Sequence, residues 1–471
     1  MGQEIPTSQF SRHDFSAFQE YLRSETGFLQ QYFREKRFFC EHNTGGFEVE
    51  AWLVNREAVP VPINEKFLSA LNHPKVVHEL SQFNIEINVE PQLLKNDALK
   101  KLHAELLTTW NRCYQVADSM EADIMAIGIH PGIVDEELTV EHMSTSQRYR
   151  ALNEQVLAIR NGIPLSLNIR GRDHLNTVHH DVMLEAATTS FQIHYQVGQD
   201  ESVRTYNASQ IISAPLVAVS ANSPYLFGCD LWDETRIRLF EQSVDVGLEK
   251  NKRVTFGHDY VQGSLFSCFE ENLHNYAVLI PLNSKGNLEE LHHLRLHNGT
   301  IWRWNRPLVG FDSDGHIHLR IENRVTPSGP SIMDMIANAA FYWGLLRYTA
   351  TMTDVPEQRI EFPVIRQNFY NAARYGLRSS LHWLDGQQHA VEELIREQLL
   401  AAADMGLQQL GIAESDRKKY ISVIEARVTS GQNGAVWQRK WVERHGSDMN
   451  QLSKAYLERQ HSGAPVHEWD I

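Results

Sequence analysis

Cysteine is scarce. Cys40, Cys113, Cys229 and Cys268 are spread over 471 residues, and no two stand in CxxC spacing. That pattern excludes a disulfide scaffold and reads as reduced thiols packed as small apolar groups. Positive charge is short as well, with 44 Lys plus Arg against 59 Asp plus Glu and a formal net charge of −15. A chain of that sign suits general nucleic-acid binding poorly, because such binding rests on basic surface. No uninterrupted apolar stretch reaches the roughly 18 residues that suggest a membrane span. The opening MGQEIPTSQFSRHDF lacks a basic segment followed by an apolar one, so no secretory signal is expected and the location expected is cytoplasmic. There is no G-x-x-x-x-G-K-[ST] loop, no G-x-G-x-x-G, and no G-x-S-x-G frame around Ser223. P-loop, Rossmann and serine-hydrolase chemistry therefore lack support.

What is present is an ordinary globular balance, 42% apolar and 22% charged, in a chain long enough for more than one packing unit. Apolar residues at helical spacing mark 14–40, 65–82, 97–121 (with Asp97 as N-cap), 144–160, 206–222 and 233–249. Alternation marks strands in FEVEAWLV, NIEINVE, PLSLNIRGR and SFQIHYQV, and DIMAIGIHPG reads as a buried strand ending in a turn. Residues 300–325 read as a hairpin turning at Asp312-Ser313-Asp314-Gly315. From about 331 helical patterns dominate. The class is α+β, with antiparallel strands separated by helices. The expected division is 1–350 as the catalytic part and 351–471 as a helical C-terminal region whose role the motifs do not assign.

Alternate residues of a strand share a face. Five strands present polar faces of unusual composition: Glu48 and Glu50; Glu86, Asn88 and Glu90; Ser166, Asn168 and Arg170; Gln192, His194 and Gln196; Arg320, Glu322 and Arg324. A solvated face is the ordinary explanation of such alternation. Solvated faces favour Thr, Lys and mixed charge, whereas these hold carboxylates, amides, arginines and a histidine, with no lysine. Neighbouring Glu48 and Glu50 repel unless something positive sits among them. Hard oxygen ligands in that arrangement suit magnesium or manganese, with His194 as nitrogen ligand or hydrogen-bond partner. Arg170, Arg320 and Arg324 suit phosphate or carboxylate. The five faces together read as the floor of a metal–nucleotide site.

The same segments resemble glutamate–cysteine ligase family 2 and its carboxylate–amine ligase relatives. The matching pieces, in family order over about residues 45–345, are GFEVEAWL, IEINVEP, GIHP, RYRALN, SFQIHYQV, PLVAVSANSPYLFG, ETRIRLFE and LRIENRVTPSGP. The resemblance implies a glutamine-synthetase-like fold, a curved antiparallel funnel binding ATP and Mg2+ or Mn2+ on its inner face. It implies activation of a carboxylate as an acyl phosphate followed by attack of an amine, with amino acids as the small-molecule substrates, glutamate first and cysteine as leading acceptor. By the same resemblance, Glu48, Glu50, Glu86, His194 and Glu322 are metal ligands, with Glu90 as an alternative to Glu86. Arg324, Arg236 and His194 are catalytic, Arg236 on the substrate carboxylate. Arg320, Arg324, Gln192 and Arg170 contact the nucleotide. A homo-oligomer is compatible with size and charge. Two other readings of the same fold are a nucleotide-binding regulatory protein without turnover and a guanidino or amine phosphotransferase.

Other features read as decoys. In His179-His180 and His292-His293 adjacent positions point apart, so solvent-exposed pairs are expected rather than metal sites. Asp312-x-Asp314-Gly315 lacks the rest of a calcium loop. Trp302 and Trp304 share a strand face and are expected in the core, with stacking on adenine as the alternative.

Overall fold

The computed structural model describes residues 5–38, 40, 42–247, 252–284, 286–312 and 314–471. The alternating segments become strands. They are β1 (Thr44–Asn55), β2 (Val76–His78), β3 (Asn84–Asn88), β4 (Gln92–Leu93), β5 (Ala122–Met125), β6 (Leu165–Arg170), β7 (His174–His179), β8 (Ser190–Val197), β9 (Asn305–Phe311) and β10 (Ile317–Pro327). Eight of these form one antiparallel sheet in the order β9-β10-β8-β1-β3-β2, with β4 and β5 paired to the two ends of β1. The class is the expected α+β, an antiparallel sheet covered by helices.

Register decides the site. Glu50 stands opposite Glu86, and His194 stands opposite Gly46 on one side and Glu322 on the other. The polar residues of β1, β3, β8 and β10 thus share one face. The apolar face is covered by the helices Gln199–Ser220 and Ile332–Ala350. Gly45 is required there, since a β-carbon would lie 2.8 Å from the Trp343 ring and from Leu94. The Trp343 indole N–H donates to the His194 carbonyl at 3.1 Å and ties helix to sheet. Ser331 and Asp334 form a reciprocal cap that starts the second helix just after β10.

Several sequence expectations move. The helix expected over 65–82 ends at Leu71, with Asn72 left-handed, because Pro74 cannot continue it; the remainder forms β2 and the turn carrying Glu79. Asp97 does sit at the start of the helix Ala98–Asp118 but makes no side-chain cap, pairing instead with Lys101 at 2.9 Å. The helix expected over 206–222 begins at Gln199. The one expected over 233–249 runs Thr235–Ser243, and residues 248 and 249 lie outside the described residues. The hairpin forms from Asn305 and Asn323 to Phe311 and Ile317, while Trp302 and Arg303 leave it to pair in parallel with Val254 and Thr255.

The C-terminal helices Leu400–Leu410 and Glu414–Ser430 pack on Ile332–Ala350. Arg427 pairs with Asp334 at 2.8 Å, both fully buried, and one hydrophobic core runs from Ile5 to Trp469. Among the described residues no helix is long and apolar enough to cross a membrane.

Candidate active site

A cavity of about 450 Å³ opens on the polar face of the sheet. Glu48, Glu50, Glu86, Gln192, Arg320, Glu322 and Arg324 line its floor, with Arg306 beside them. The carboxylates are not solvated: Glu48, Glu50, Glu86 and Glu322 are 2–8% exposed. Buried charge at this density requires compensation.

The acidic residues divide into two groups. Glu48, His194 and Glu322 bring one ligand atom each to within 4.8 Å of one another, and so do Glu50, Glu79 and Glu86. The His194 Nε2 lies 3.4 Å from Glu48 and 3.9 Å from Glu322, is buried, and makes no hydrogen bond. An imidazole nitrogen facing two carboxylates is a donor set that a cation would fit. Oxygen ligands with one imidazole fit magnesium or manganese. Glu50 is fixed by the Ser190 N–H at 2.7 Å, the Ser190 hydroxyl at 2.9 Å and the Gln192 amide at 2.7 Å. Glu86 accepts from Asn88 at 2.7 Å.

Electrostatics separate the groups. Burial alone would raise Glu322, but Arg306 and Arg324 outweigh it and hold the carboxyl down at about 2. Burial and the neighbouring Glu48 carboxylate push Glu86 up to about 7. Burial and then Glu50 raise Glu185, also on the cavity wall, to about 8, and burial and Glu50 push Glu79 well up. One end of the cavity is therefore held ionised by arginines, while the other carries carboxyls awaiting positive charge.

Arg324 donates to Glu322 at 3.2 Å and to the Gln192 carbonyl oxygen. Gln192 thus links Arg324 to Glu50, and its amide serves the wall itself. Glu86 rather than Glu90 faces the cavity, since Glu90 is exposed and pairs with Lys75 at 3.0 Å.

Two expected site residues lie elsewhere. Arg170 is on β6, which pairs only with β7 in a separate ribbon, and its face with Ser166 and Asn168 is exposed. Here the ordinary solvated reading of an alternating strand is correct. Arg236 is 2% exposed and absent from the cavity wall. Its Nε donates to Glu234 at 2.9 Å, and its other nitrogens donate to the carbonyls of Arg324 at 3.2 Å and Val325 at 2.6 Å. It braces the strand behind the site.

The histidine pairs also differ from expectation. His179 is buried against Asp135, and His293 is buried on Glu25 at 2.6 Å, while His292 lines the cavity. Trp304 is in the core, and Trp302 is on the cavity wall. In the hairpin turn Asp312 accepts from the N–H groups of Asp314 and His316; Ser313 lies outside the described residues.

Sequence reasoning missed Glu79, Glu185, Arg148 and Arg295, all lining the cavity. Glu79 sits in a turn and Glu185 in the 3-10 turn Met183–Ala187, where no periodicity marks a face.

A comparison with curated protein sequences finds no significant match. Among solved structures the chain is similar to glutamate–cysteine ligase from Francisella tularensis in complex with AMP, with a TM-score of 0.54, 13% identity and 90% of each chain covered. It is also similar to a bifunctional glutathione synthetase from Pasteurella multocida, with a TM-score of 0.50 and 11% identity, covering 93% of this chain and 54% of that one. At these identities the likeness shows the fold. The model of glutamate-cysteine ligase family 2 matches residues 44–460, which takes in every strand of the sheet and most of the C-terminal helices. The chain thus belongs to glutamate-cysteine ligase family 2, and its chemistry is that of a carboxylate–amine ligase.

Proposed function

We propose that this ligase is ATP-dependent and joins glutamate to cysteine, giving γ-glutamylcysteine. The observation that carries the reading is the pair of three-residue ligand clusters, Glu48–His194–Glu322 and Glu50–Glu79–Glu86, in one cavity with Arg306, Arg320 and Arg324. Those two clusters would hold magnesium or manganese, which when bound supplies charge that offsets repulsion between phosphate and carboxylate oxygens.

The chain's own residues do the rest. Arg324, oriented by Glu322 and Gln192, is a fixed positive group for the charge that builds on a transferred phosphoryl. Activation forms a bond from a glutamate γ-carboxylate oxygen to the γ-phosphorus and breaks the bond to the bridging oxygen, so ADP leaves. Ligation forms a bond from the cysteine nitrogen to the acyl carbon; phosphate leaves with its C–O electron pair, and the amine sheds a proton. The cavity walls above the sheet keep water from the acyl phosphate between these steps. The AMP held by the Francisella enzyme supports the nucleotide part of the reading. The cytoplasm, where ATP and free amino acids meet, is the matching location.

The test is ADP release by purified protein with magnesium, ATP and glutamate, scanning amino acids and amines as acceptor and following products by mass. Cysteine should stimulate release most and give the mass of γ-glutamylcysteine. A different stimulating amine replaces the acceptor, and a stable phosphorylated product in place of an amide overturns the ligation.

A further inference from the structure

A glutamate stands on the apolar stripe of the first helix. The helix Arg12–Arg34 buries Phe18, Leu22, Thr26, Leu29 and Phe33 at helical spacing, and Glu25 shares that face at 2% exposure. This helix lies outside residues 44–460, which carry the family match. A carboxylate is costly to bury unless its oxygens are satisfied, and both are. One accepts from the His293 Nδ1 at 2.6 Å, the other from the Leu294 N–H at 2.7 Å. The His293 Nε2 accepts from the Ser284 N–H at 3.3 Å, which leaves the ring proton on Nδ1 for Glu25. The imidazole is buried, stacked on Tyr21 with centroids 4.6 Å apart and set edge-on to Phe18 at 5.1 Å.

The helix that Glu25 meets has no start signal of its own. His292–Gly299 begins after Leu291, which is left-handed at φ 50° and supplies no side-chain cap; that conformation is uncommon for leucine. Glu25 provides the missing acceptor from another helix, with the charge sign that a helix N-terminus favours. His292, Leu294, Arg295 and Asn298 of the short helix line the cavity. His293 and His297, one turn apart, are not among the lining residues; His297 bonds the Asn272 carbonyl at 2.9 Å. At the far end the Asn298 amide donates to the Pro307 carbonyl at 3.0 Å, and the Gly299 carbonyl accepts from Arg306 at 3.3 Å. Arg306 also forks Glu322. Eight residues span only about 12 Å, so the anchor at one end and the arginine at the other belong to one rigid element.

We propose that Glu25 and His293 are positioning residues for the ligase reaction. Their bond pins the helix His292–Gly299 to the N-terminal helix, and the pinned helix sets both a wall of the cavity and the Gly299 carbonyl that steadies Arg306. Neither residue touches substrate. Glu25→Gln leaves one acceptor atom for two donors, and His293→Phe keeps the stack on Tyr21 but removes the Nδ1 donor. The positioning role rests on the ATP-dependent ligase reading above.

The experiment compares the full-length protein with its Glu25→Gln, His293→Phe and His293→Asn variants. Calorimetry gives each melting temperature, and ADP formation with magnesium, ATP, glutamate and the best acceptor is measured well below it. Amide exchange followed by mass spectrometry reads residues 292–300. Glu25→Gln and His293→Phe should speed exchange there by about tenfold or more while β8 and β10 keep their protection. Their kcat should fall by about 10- to 100-fold, with the KM for glutamate within about twofold of the unmodified protein. His293→Asn, whose amide can replace the Nδ1 donor, should recover part of the loss. A lowered melting temperature with unchanged kcat makes the pair merely structural and overturns the proposal. Unchanged exchange over 292–300 in both Glu25→Gln and His293→Phe overturns it as well. Either result leaves the ligase reading intact. An unmodified protein that forms no ADP with any acceptor removes that reading and the positioning role together.

Discussion

Arg306 grips both oxygens of Glu322, with Nε 2.8 Å from one and a terminal nitrogen 2.9 Å from the other. The two residues face each other across β9 and β10, and both are buried. The fork fixes the plane of the carboxylate and keeps it ionised. Arg306→Ala should therefore leave Glu322 buried without its main partner, at a cost of about 3–5 kcal/mol in stability. Arg306→Lys keeps the charge but loses the two-pronged geometry. We expect the lysine variant to melt close to the unmodified protein yet form ADP about 100-fold more slowly, since a misplaced carboxylate is costly to phosphoryl transfer. Chemical denaturation and a coupled ADP assay read the two effects separately. Normal turnover in the lysine variant would contradict the role given to the fork.

Glu48 and Glu50 are two residues apart on one strand face but belong to different ligand groups. Manganese binding should separate them. His194→Ala or Glu322→Ala should remove one class of manganese site and leave the other, whereas Glu79→Ala should weaken the second class. Electron paramagnetic resonance counts the bound ion directly, and circular dichroism confirms the fold. Loss of all manganese from every variant, or from none, would show that the two groups are not separate sites.

The difference between Glu86 and Arg170 shows what the sequence could reveal. Both sit on strands of alternating polarity, and period two gives the face of each. It does not give the neighbour across the ladder. Glu86 meets Glu50 in the main sheet, while Arg170 meets His174 in a ribbon whose outer face is wet. The three strands whose polar faces carry carboxylates, β1, β3 and β10, all join one sheet with β8 and its His194, because burying such groups makes sense only around shared counter-charge. Glu79, Glu185 and Arg295 come from a turn, a 3-10 turn and a short helix, where no spacing rule indicates the cavity. Arg236 was expected on the substrate carboxylate, but its partners are the Glu234 carboxylate and two main-chain carbonyls, and no side-chain pattern reports the carbonyls.

The pH dependence of stability follows from the raised carboxyls. Glu86 and Glu185 titrate at about 7 and about 8 in the folded protein, against about 4.3 for an unperturbed glutamate. Between pH 6.5 and 8.5 the folded state therefore holds protons that the unfolded state has already lost. Stability falls as pH rises wherever the folded state binds more protons. The metal-free protein should melt a few degrees lower at pH 8.5 than at pH 6.5, and Glu185→Gln should flatten part of that slope. Magnesium should recover most of the loss at pH 8.5, because it favours the ionised carboxylates. Differential scanning calorimetry in chelator and in magnesium measures both, and a melting temperature that rises over this window would contradict the assignment.

Arg236 gives the sharpest contrast between a substrate role and a bracing role. Pairing of β10 with β8 shifts register between Asn323 and Thr326, so one extra residue sits in the strand beside Arg324. The Arg324 and Val325 carbonyls at this irregularity accept from Arg236, whose Nε is held by Glu234 at 2.9 Å. Glu234 in turn accepts from the Asn222 N–H at 2.8 Å. Removing the guanidinium would leave a buried carboxylate without its counter-charge and two carbonyls without this donor. Arg236→Ala should cost about 3–5 kcal/mol of stability. Arg236→Lys, which cannot reach three acceptors in one plane, should lose less stability but still loosen the main chain that carries Arg324. Its kcat should fall while the KM for glutamate stays near that of the unmodified protein. A KM for glutamate raised about tenfold at an unchanged melting temperature would put Arg236 on the substrate carboxylate instead.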